Sequence, residues 1–326
     1  MPNLVLIADI GGTSSRLAKV GADGVPTDVQ IHRNDSFDGF EAMIEADLSM
    51  RDAASVSAIG GAVLAVAAPA DTETIKLTNR DWSFTKTGLR KHFGWQKLSI
   101  VNDFEALAQG VPALTAEDLV PVGHAHADTS APMVVCGPGT GFGTAGLLRI
   151  GRTYHTVTGE GGRCRLGAAN AEEARLLAHL LSELGPVVVE HAVSGSGLGR
   201  IHRIFAGKDL SPEQVIAAAH RGDDAARASI DIFLRLFGRI AGDLALIFNA
   251  RGGVFLAGGV STALAPFFEG SPFRKAFEEH PPHEARLVAT PVNIINHPTP
   301  GLVGCGQLGA RLARSLKDAK PNLHLV

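Results

Sequence analysis

The sequence contains few cysteines and no clustered set of metal ligands. Three cysteines, Cys136, Cys164 and Cys305, are spread over 326 residues. Zinc clusters and disulfide frameworks need close or paired cysteines, so neither is predicted. The 13 histidines form no H-E-x-x-H or similar pair, and catalytic zinc is not indicated. We expect the cysteines to be small buried residues of a protein in the reducing cytoplasm.

The chain also has little charge and no excess of positive charge. Charged residues make up 19%, and 30 Lys and Arg against 33 Asp and Glu give a net charge of −3. Such a balance provides no positive field to hold nucleic acid or an anionic membrane. Hydrophobic residues make up 45%, which excludes disorder for most of the chain. A length of 326 residues predicts two domains.

No hydrophobic run resembles a secretory signal. The N-terminal MPNLVLIADI lacks a basic region and is interrupted by Asp9, so we expect no cleaved leader and a cytoplasmic protein. Residues 53–70 carry no charge and reach the lower length of a membrane span. Their serines, Gly60, Gly61 and Pro69 favour instead a loop that leads into a buried strand.

Hydrophobic patterning predicts an α/β chain in which one unit recurs. The first third predicts three strands, a helix capped by Ser36, and a strand at residues 63–67. From Met133 a strand, a glycine-rich turn and two more strands repeat this opening about 130 residues later. The second half is then mostly helical, with apolar periodicity predicting helices near residues 172–184, 212–220 and 224–249. We interpret this as a degenerate duplication, with residues 115–132 as the crossing between two lobes.

The first candidate motif is D-I-G-G-T, Asp9 to Thr13, at the end of a buried strand. Consecutive glycines let backbone N–H groups approach a phosphate, and Thr13 adds a hydroxyl donor. Asp9 would repel that phosphate unless a divalent cation lies between them, which favours Mg²⁺. A plain hairpin turn remains an equal alternative for this motif alone. The chain has neither G-x-G-x-x-G nor G-x-x-x-x-G-K-[ST].

A second glycine-rich turn, G-T-G-F-G at residues 139–143, repeats this device in the second half. Two such turns, one in each lobe, would hold a polyphosphate in a cleft between the lobes. Their matching places in a duplicated pattern make a plain turn the weaker interpretation.

The motif V-N-D-F places Asn102 and Asp103 between a short buried strand and a helix. An aspartate there can accept the proton of a substrate hydroxyl, while the Asn102 amide holds a neighbouring hydroxyl. Helix capping by Asp103 is the simpler interpretation, and local sequence favours it.

Two further carboxylates and a third glycine pair complete the candidates. Thr158 to Arg163 reads T-G-E-G-G-R, and Glu190 follows four apolar residues. Carboxylates suit adjacent sugar hydroxyls, although an isolated Glu190 is more often a surface acid. Gly258 and Gly259 end a strand where adenine or ribose could lie against backbone, or they form an ordinary turn.

Together these residues resemble the bacterial glucokinase family of the hexokinase, actin and chaperone ATPase superfamily. The similarity covers most of the chain, in the family's order: LIADIGGTSSRLA, LTNRDWSF, IVNDFEALAQGVPAL, VCGPGTGFGTA, GEGGR, EHAVSGSGL, GGVFLAGGV, SPFRKAFE and TPGLVGCG. The resemblance implies two ribonuclease H-like α/β lobes with an interlobe cleft, ATP and Mg²⁺ as cofactors, glucose as substrate, and a homodimer. The expected lobes are residues 1–113 with 300–318, and the helix-rich residues 114–299.

The resemblance also implies a role for each candidate. Asp103 is the general base that acts on the glucose 6-hydroxyl. The sugar ligands are Asn102, Asp103, Glu160, Arg163, Glu190 and Asn79. The nucleotide ligands are Ala8, Asp9, Ile10, Gly11, Gly12, Thr13, Gly139, Thr140, Gly141, Gly258 and Gly259. Asp9 is the metal ligand.

Two positions depart from the family pattern. Arg163 stands where the family usually has a sugar-contacting histidine, and arginine is longer, permanently charged and unable to accept a hydrogen bond. Ser14 replaces the usual asparagine after G-G-T. A kinase for another hexose, such as mannose or an amino sugar, is therefore an alternative. A non-catalytic sugar and nucleotide sensor is another, but the chain has no room for an added helix-turn-helix module.

Overall fold

The computed structural model describes residues 3–78 and 80–318. They divide into two compact units: the chain up to Leu114 together with the part from Pro298, and Thr115–His297. Asn79, one of the expected sugar ligands, lies outside the described residues.

The first unit contains a five-stranded sheet in the order β3-β2-β1-β4-β7. β1 is antiparallel to β2, β2 is antiparallel to β3, and β4 and β7 run parallel to β1. A separate hairpin, β5-β6, accompanies it. The strands are β1 (Leu4–Ile10), β2 (Ser14–Val20), β3 (Thr27–Arg33), β4 (Ile59–Val66), β5 (Thr74–Lys76), β6 (Ser83–Thr85) and β7 (Lys97–Asn102).

Helices cover both faces of this sheet because β1 and β4 are buried on both sides. Leu6 and Ile10 pack with Phe40 of α1, whereas Val5 and Ile7 pack with α13. The helices are α1 (Phe40–Ser49), α2 (Ala53–Ser57), α3 (Lys86–His92), α4 (Asp103–Gly110) and α13 (Pro300–Lys317).

Helices α4 and α13 cross in close contact because Gly304 lies where their backbones meet. A Cβ at Gly304 would lie 1.7 Å from the carbonyl oxygen of Ala106, and one at Gly110 would lie 3.0 Å from the Gly304 nitrogen. This contact fixes α13 against the helix that begins at Asp103.

The second unit repeats the strand order of the first. Its six-stranded sheet runs β11-β10-β9-β12-β13-β8, so its first five strands match β3-β2-β1-β4-β7 and β8 is added at one edge. The predicted duplication is thus confirmed. The strands are β8 (Leu119–Pro121), β9 (Met133–Pro138), β10 (Phe142–Ile150), β11 (Thr153–Gly159), β12 (Gly253–Leu256) and β13 (Val292–Ile295).

The helices of the second unit pack around α9, which contributes buried Phe233 and Phe237 to a large apolar core. Periodicity predicted α5, α8 and α9, but α7, α11 and α12 were missed. The helices are α5 (Ala171–Leu184), α6 (Val189–Ala192), α7 (Gly195–Ala206), α8 (Pro212–His220), α9 (Asp224–Ile247), α10 (Gly259–Leu264), α11 (Phe273–Glu278) and α12 (Glu284–Val288).

Two expectations about the first unit have different outcomes. The uncharged stretch 53–70 contains α2 and the buried strand β4, as favoured, and no described helix combines the length and apolar character needed to cross a bilayer. The expected cap of α1 is wrong: the helix begins at Phe40 after Gly39, and Ser36 ends a 3₁₀ turn, Asn34–Ser36. That turn is tied to the glycine turn after β1, because the Asn34 N–H donates to the Thr13 carbonyl.

Candidate active site

The D-I-G-G-T motif forms the tight turn between β1 and β2. The Gly11 N–H donates to the Ser14 carbonyl over 3.1 Å, and a Cβ at Gly11 would lie 2.9 Å from that carbonyl oxygen. Gly12 and Thr13 are exposed at the tip. The turn is therefore open to a ligand on its outer side.

The side chain of Asn34 supports this turn from its buried side. Sequence reasoning missed this role of Asn34. The buried Asn34 amide donates to the Gly11 carbonyl over 2.8 Å, and its Oδ1 accepts from Ser15 Oγ over 2.7 Å. The carbonyl groups of the turn thus accept hydrogen bonds from the protein interior. This orientation suits N–H groups of the turn that point outward toward an anion. A lone asparagine in a loop carries no sequence signal for this role.

Ala8 and Ile10, expected nucleotide ligands, are not brought to this surface. Both side chains are fully buried in the core between the sheet and α1. The Ala8 carbonyl also accepts from Cys305 Sγ of α13 over 3.3 Å. These two residues support the turn from within the strand.

Three parallel strands end together beside this turn. Ile10 pairs with Val66, and Val66 pairs with Asn102, so the carboxyl ends of β1, β4 and β7 are level. Residues that follow such strand ends meet at one edge of a sheet, where ligands of α/β proteins bind. The D-I-G-G-T turn and the pair Asn102 and Asp103 therefore emerge at the same edge.

Asn102, rather than Asp103, caps α4. Asn102 Oδ1 accepts from the Phe104 N–H over 2.9 Å, and Asp103 occupies the first helical position. The capping role favoured for Asp103 is therefore wrong as stated, although Asp103 Oδ1 also accepts from that N–H over 3.0 Å. The cap fixes Asn102, and within the described part of the chain its amide nitrogen makes only a long contact of 3.5 Å to the Ala68 carbonyl.

The two acids at this edge have raised pKa values. Burial raises the pKa of Asp9, and the positive charge of neighbouring Arg16 opposes that rise only partly. Burial, and then the negative charge of Asp9, raise the pKa of Asp103 to about 6. A carboxyl with a pKa near neutrality can take up and release protons under physiological conditions, as a general base must.

The first turn of α13 lies against Asp9. A Cβ at Gly301 would lie 2.6 Å from Asp9 Oδ2 and 3.1 Å from Oδ1, so only glycine leaves room for the carboxylate. The positive end of the α13 dipole is favourable for that charge. The late motif T-P-G-L thus contributes to the site through Gly301.

A single carboxylate is a sufficient protein ligand for Mg²⁺, which usually keeps several waters and binds substrate phosphates. Among the described residues, no group of three His, Cys, Asp or Glu side chains is arranged to hold a metal. Asp9, beside the glycine turn and within the electrostatic range of Asp103, fits such a shared ion because a dication would offset both negative charges.

In the second unit, two predicted nucleotide segments are adjacent. The Gly139 N–H donates to the Gly141 carbonyl, and the Gly195 N–H of α7 donates to the Gly139 carbonyl, each over 2.9 Å. Gly258 has a φ of +93°, and a Cβ there would lie 2.4 Å from the Pro138 carbonyl oxygen. Thr140 and Gly259 are exposed. The turn after β9 and the turn after β12 thus form one glycine-lined surface.

Glu190 joins this surface to the G-E-G-G-R segment. A Cβ at Gly141 would lie 2.7 Å from Glu190 Oε2, and one at Gly162 would lie 3.2 Å from it. Glu190 Oε1 forms an ion pair with Arg163 Nη1 at 2.9 Å. Glu190 is therefore not the exposed surface acid that local sequence favoured: its side chain is 21% exposed, against 66% for Arg163.

Glu160 stands at the head of the same segment. Its backbone carbonyl accepts from the Arg163 N–H over 2.9 Å, and Glu160 itself is exposed. Behind it, a Cβ at Gly161 would lie 2.4 Å from the buried Thr144 Oγ1. Thr144 Oγ1 has no hydrogen-bond partner among the described residues and was not singled out from the sequence.

Comparison with known proteins agrees with these features. The family model for glucokinase matches residues 6–312. A glucokinase of Chelativorans sp. (strain BNC1) is 37% identical over 95% of this chain and 92% of its own length. The crystal structure of a glucokinase from an Antarctic psychrotroph has a TM-score of 0.84 and 29% identity, with coverage of 95% and 99% of the two chains.

A more distant structure shares the fold. The ROK family glucokinase of Streptomyces griseus, solved in complex with glucose and AMPPNP, has a TM-score of 0.60 at 20% identity, covering 94% of this chain and 99% of its own. The α/β fold class expected from the sequence is confirmed by these structures. With this family model and these relatives spanning nearly all of it, the chain belongs to the glucokinase family.

Proposed function

We propose that this protein transfers the γ-phosphoryl group of ATP to the 6-hydroxyl of glucose, giving glucose 6-phosphate and ADP. The observation that carries the proposal is Asp103, a carboxyl with a pKa of about 6 at the head of α4, level with the glycine turn after β1. Phosphoryl transfer passes through a loose transition state, so a protein acts mainly by alignment and by neutralising charge.

In this reaction Asp103 accepts the proton of the 6-hydroxyl as that oxygen bonds to phosphorus. Asp103 Oδ1 is held by the Phe104 N–H, which fixes the orientation of the carboxylate. The Asn102 amide donates to a neighbouring sugar hydroxyl, since its carbonyl is engaged in the helix cap. Glu160 and Glu190 accept from further hydroxyls, which makes the wrong sugar costly to bind.

The glycine turns bind the nucleotide. Gly11, Gly12 and Thr13 donate to phosphate oxygens, and the turn at Gly139–Gly141 acts likewise. Gly258 and Gly259 support the adenosine, where any side chain at Gly258 would strike the Pro138 carbonyl. Asp9 holds Mg²⁺, which supplies charge neutralisation for the phosphates when it is bound.

Replacing Asp103 tests this proposal. In Asp103→Ala, kcat for glucose-dependent ADP release should fall by about 10² to 10⁴, the usual contribution of a general base, while KM for ATP changes little. Asp224→Ala is the matched control, because Asp224 is also an acid at the first position of a helix but is exposed in the second unit. Near-full activity of Asp103→Ala would remove Asp103 from the mechanism. Absence of glucose-dependent ADP release by the wild type would favour a sensor.

One contact favours a second candidate, a kinase for another hexose. Arg163 pairs with the carboxylate proposed to bind the sugar, so a sugar must compete with this ion pair for Glu190. Steady-state kinetics with glucose, mannose and glucosamine distinguish the two, because a kcat/KM for glucose below that of another hexose would overturn glucose as the substrate. Arg163→His should change relative kcat/KM values, whereas Arg165→His, two residues away, should not.

The proposal includes a cytoplasmic homodimer, which the sequence resemblance implies. Leu181 at 57% and Leu184 at 36% exposure on α5 give an apolar surface that association could cover. Light scattering during size-exclusion chromatography measures the mass directly, and a mass of one chain across the micromolar range would exclude the dimer.

A further inference from the structure

A basic cavity in the first unit lies at the opposite end of the sheet from Asp103. It has a volume of about 500 Å³ and lies between α3, β7 and the second half of α13. Arg90, Lys97 and Arg311 supply three positive charges, and Gln96, Ser99 and Ser315 supply neutral polar groups. None of the described residues that line it is an aspartate or glutamate. In a chain of net charge −3, this is a local concentration of positive charge.

Hydrogen bonds between lining residues hold the walls of the cavity in place. Lys97 Nζ donates to Ser315 Oγ over 2.8 Å and to the Ser315 carbonyl over 3.2 Å, which bridges β7 to α13. Arg311 is half-buried, and burial together with the charge of Arg314 lowers its pKa. A nearby anion would favour the charged form of Arg311 and offset the repulsion from Arg314.

Two further donors face the same space. Arg90 is exposed, and its side chain makes no hydrogen bond or ion pair within the described part of the chain, so its guanidinium can reach a ligand without breaking a contact. β7 is the edge strand of its sheet, and Ser99 of this strand lines the cavity and provides a hydroxyl donor. Guanidinium, ammonium, hydroxyl and amide donors together suit the oxygens of a phosphoryl group.

We propose that this cavity binds a small phosphate ester, at a site separate from the one that contains Asp103. The two sites share structural elements: β7 leads from Lys97 to Asn102, about 16 Å along the strand. α13 leads from Gly301, beside Asp9, to Arg311, about 15 Å along the helix. A ligand in the cavity would therefore contact β7 and α13, the two elements whose other ends position Asp103 and Asp9.

Calorimetry with inorganic phosphate and 3-phosphoglycerate tests binding, with glycerate as the non-phosphorylated control. Titrations use the intact protein saturated with a non-hydrolysable ATP analogue and glucose, so that the proposed nucleotide turns are occupied. Both phosphates should bind, glycerate should not, and binding should weaken as salt is raised. Loss of binding in the presence of the ATP analogue, or equal binding of glycerate, would overturn the proposal.

Arg90→Gln should weaken phosphate binding about tenfold, as expected for one charge-assisted contact. Lys91→Gln is the matched control, because Lys91 is exposed on the same helix but does not line the cavity. The charge of Arg90 also acts on Glu73, but both side chains are exposed, so failure to fold is not expected for this variant. Unchanged affinity in Arg90→Gln, or an equal loss in Lys91→Gln, would contradict the assignment. The binding readout needs no turnover, so it is independent of whether the proposed kinase reaction is correct.

Discussion

Replacing Asp103 with asparagine should stabilise the unliganded protein at neutral pH while it removes the proposed base. The pKa of Asp103 rises from the ordinary value of 3.8 to about 6, chiefly because the carboxyl is buried and secondly because Asp9 is nearby. A difference of about two pH units corresponds to about 3 kcal/mol of unfavourable free energy for the ionised form. This figure is an upper limit, because Asp103 retains some contact with solvent.

The pH dependence of this gain has a definite sign. Between about pH 4 and 6 the folded protein holds a proton on Asp103 that the unfolded chain has lost. Stability therefore falls as pH rises through this range, and the full penalty is present above about 6. Asparagine carries no charge at any pH. The advantage of Asp103→Asn should thus be largest at neutral pH and should disappear near pH 4.

Urea unfolding followed by tryptophan fluorescence measures this difference in the relevant unit, because both tryptophans, Trp82 and Trp95, lie in the unit that contains Asp103. Glu41→Gln, which removes an acid from the first turn of α1, is the control and should leave stability unchanged or slightly reduced. A variant no more stable than the wild type at about pH 7.5, or a gain that persists near pH 4, would refute the account of Asp103 as a buried, unfavourable carboxylate.

Three further outcomes are expected. The kcat/KM for glucose should fall about tenfold per pH unit below the pKa of the proposed base Asp103, which is about 6 in the unliganded site and lower once a dication lies at Asp9; no fall down to about pH 4 would contradict this. Asn34→Ala leaves buried partners of the glycine turn unpaired, at about 1–3 kcal/mol each, and should raise KM for ATP more than KM for glucose in steady-state assays. Gly304→Ala should destabilise the first unit by about 1–3 kcal/mol or more in urea unfolding, whereas Gly21→Ala, whose added methyl group would make only an ordinary contact of 3.6 Å with Asp23 Oδ1, should not.

The fold could be predicted where periodicity and repetition agree. The strand, glycine turn and strand at the start of each unit can be recognised in the amino-acid sequence, and the structure gives both units the same strand order. Long amphipathic helices such as α5 and α9 were equally visible. Short helices such as α12 were missed, since five residues give too little periodicity to recognise.

Helix starts were less predictable because tertiary contacts decide them. Ser36 is a good cap by composition, but Asn34 is bound to the turn at Gly11, so the chain forms a 3₁₀ turn before α1 can begin. Asn102 and Asp103 are both acceptable caps, and only the register of β7 determines which residue lies at the helix boundary.

The residues of the candidate site that belong to short local motifs could be predicted from the sequence. The contacts that support these residues from distant segments could not. The G-T-G-F-G turn was expected to bind phosphate, and the carboxylate of the G-E-G-G-R motif was expected to bind the sugar. Gly141 and Gly162 also make room for the Glu190 carboxylate, which lies on a helix 49 and 28 residues further along the chain, respectively. Such a contact between distant segments has no signature in either segment alone.

The two acids of the site in the first unit destabilise the unliganded protein when they are ionised. Asp9 and Asp103 are both largely but not completely buried, so their charges are unfavourable, and they repel each other. Packing of α13 on α4 through Gly304, and of Gly301 on Asp9, holds the acids there despite this cost. A dication at Asp9 and a hydroxyl that donates to Asp103 would each remove part of the unfavourable energy. This unfavourable energy in the unliganded protein is what the proposed function would use, because the proposed cation and sugar hydroxyl would each reduce it on binding.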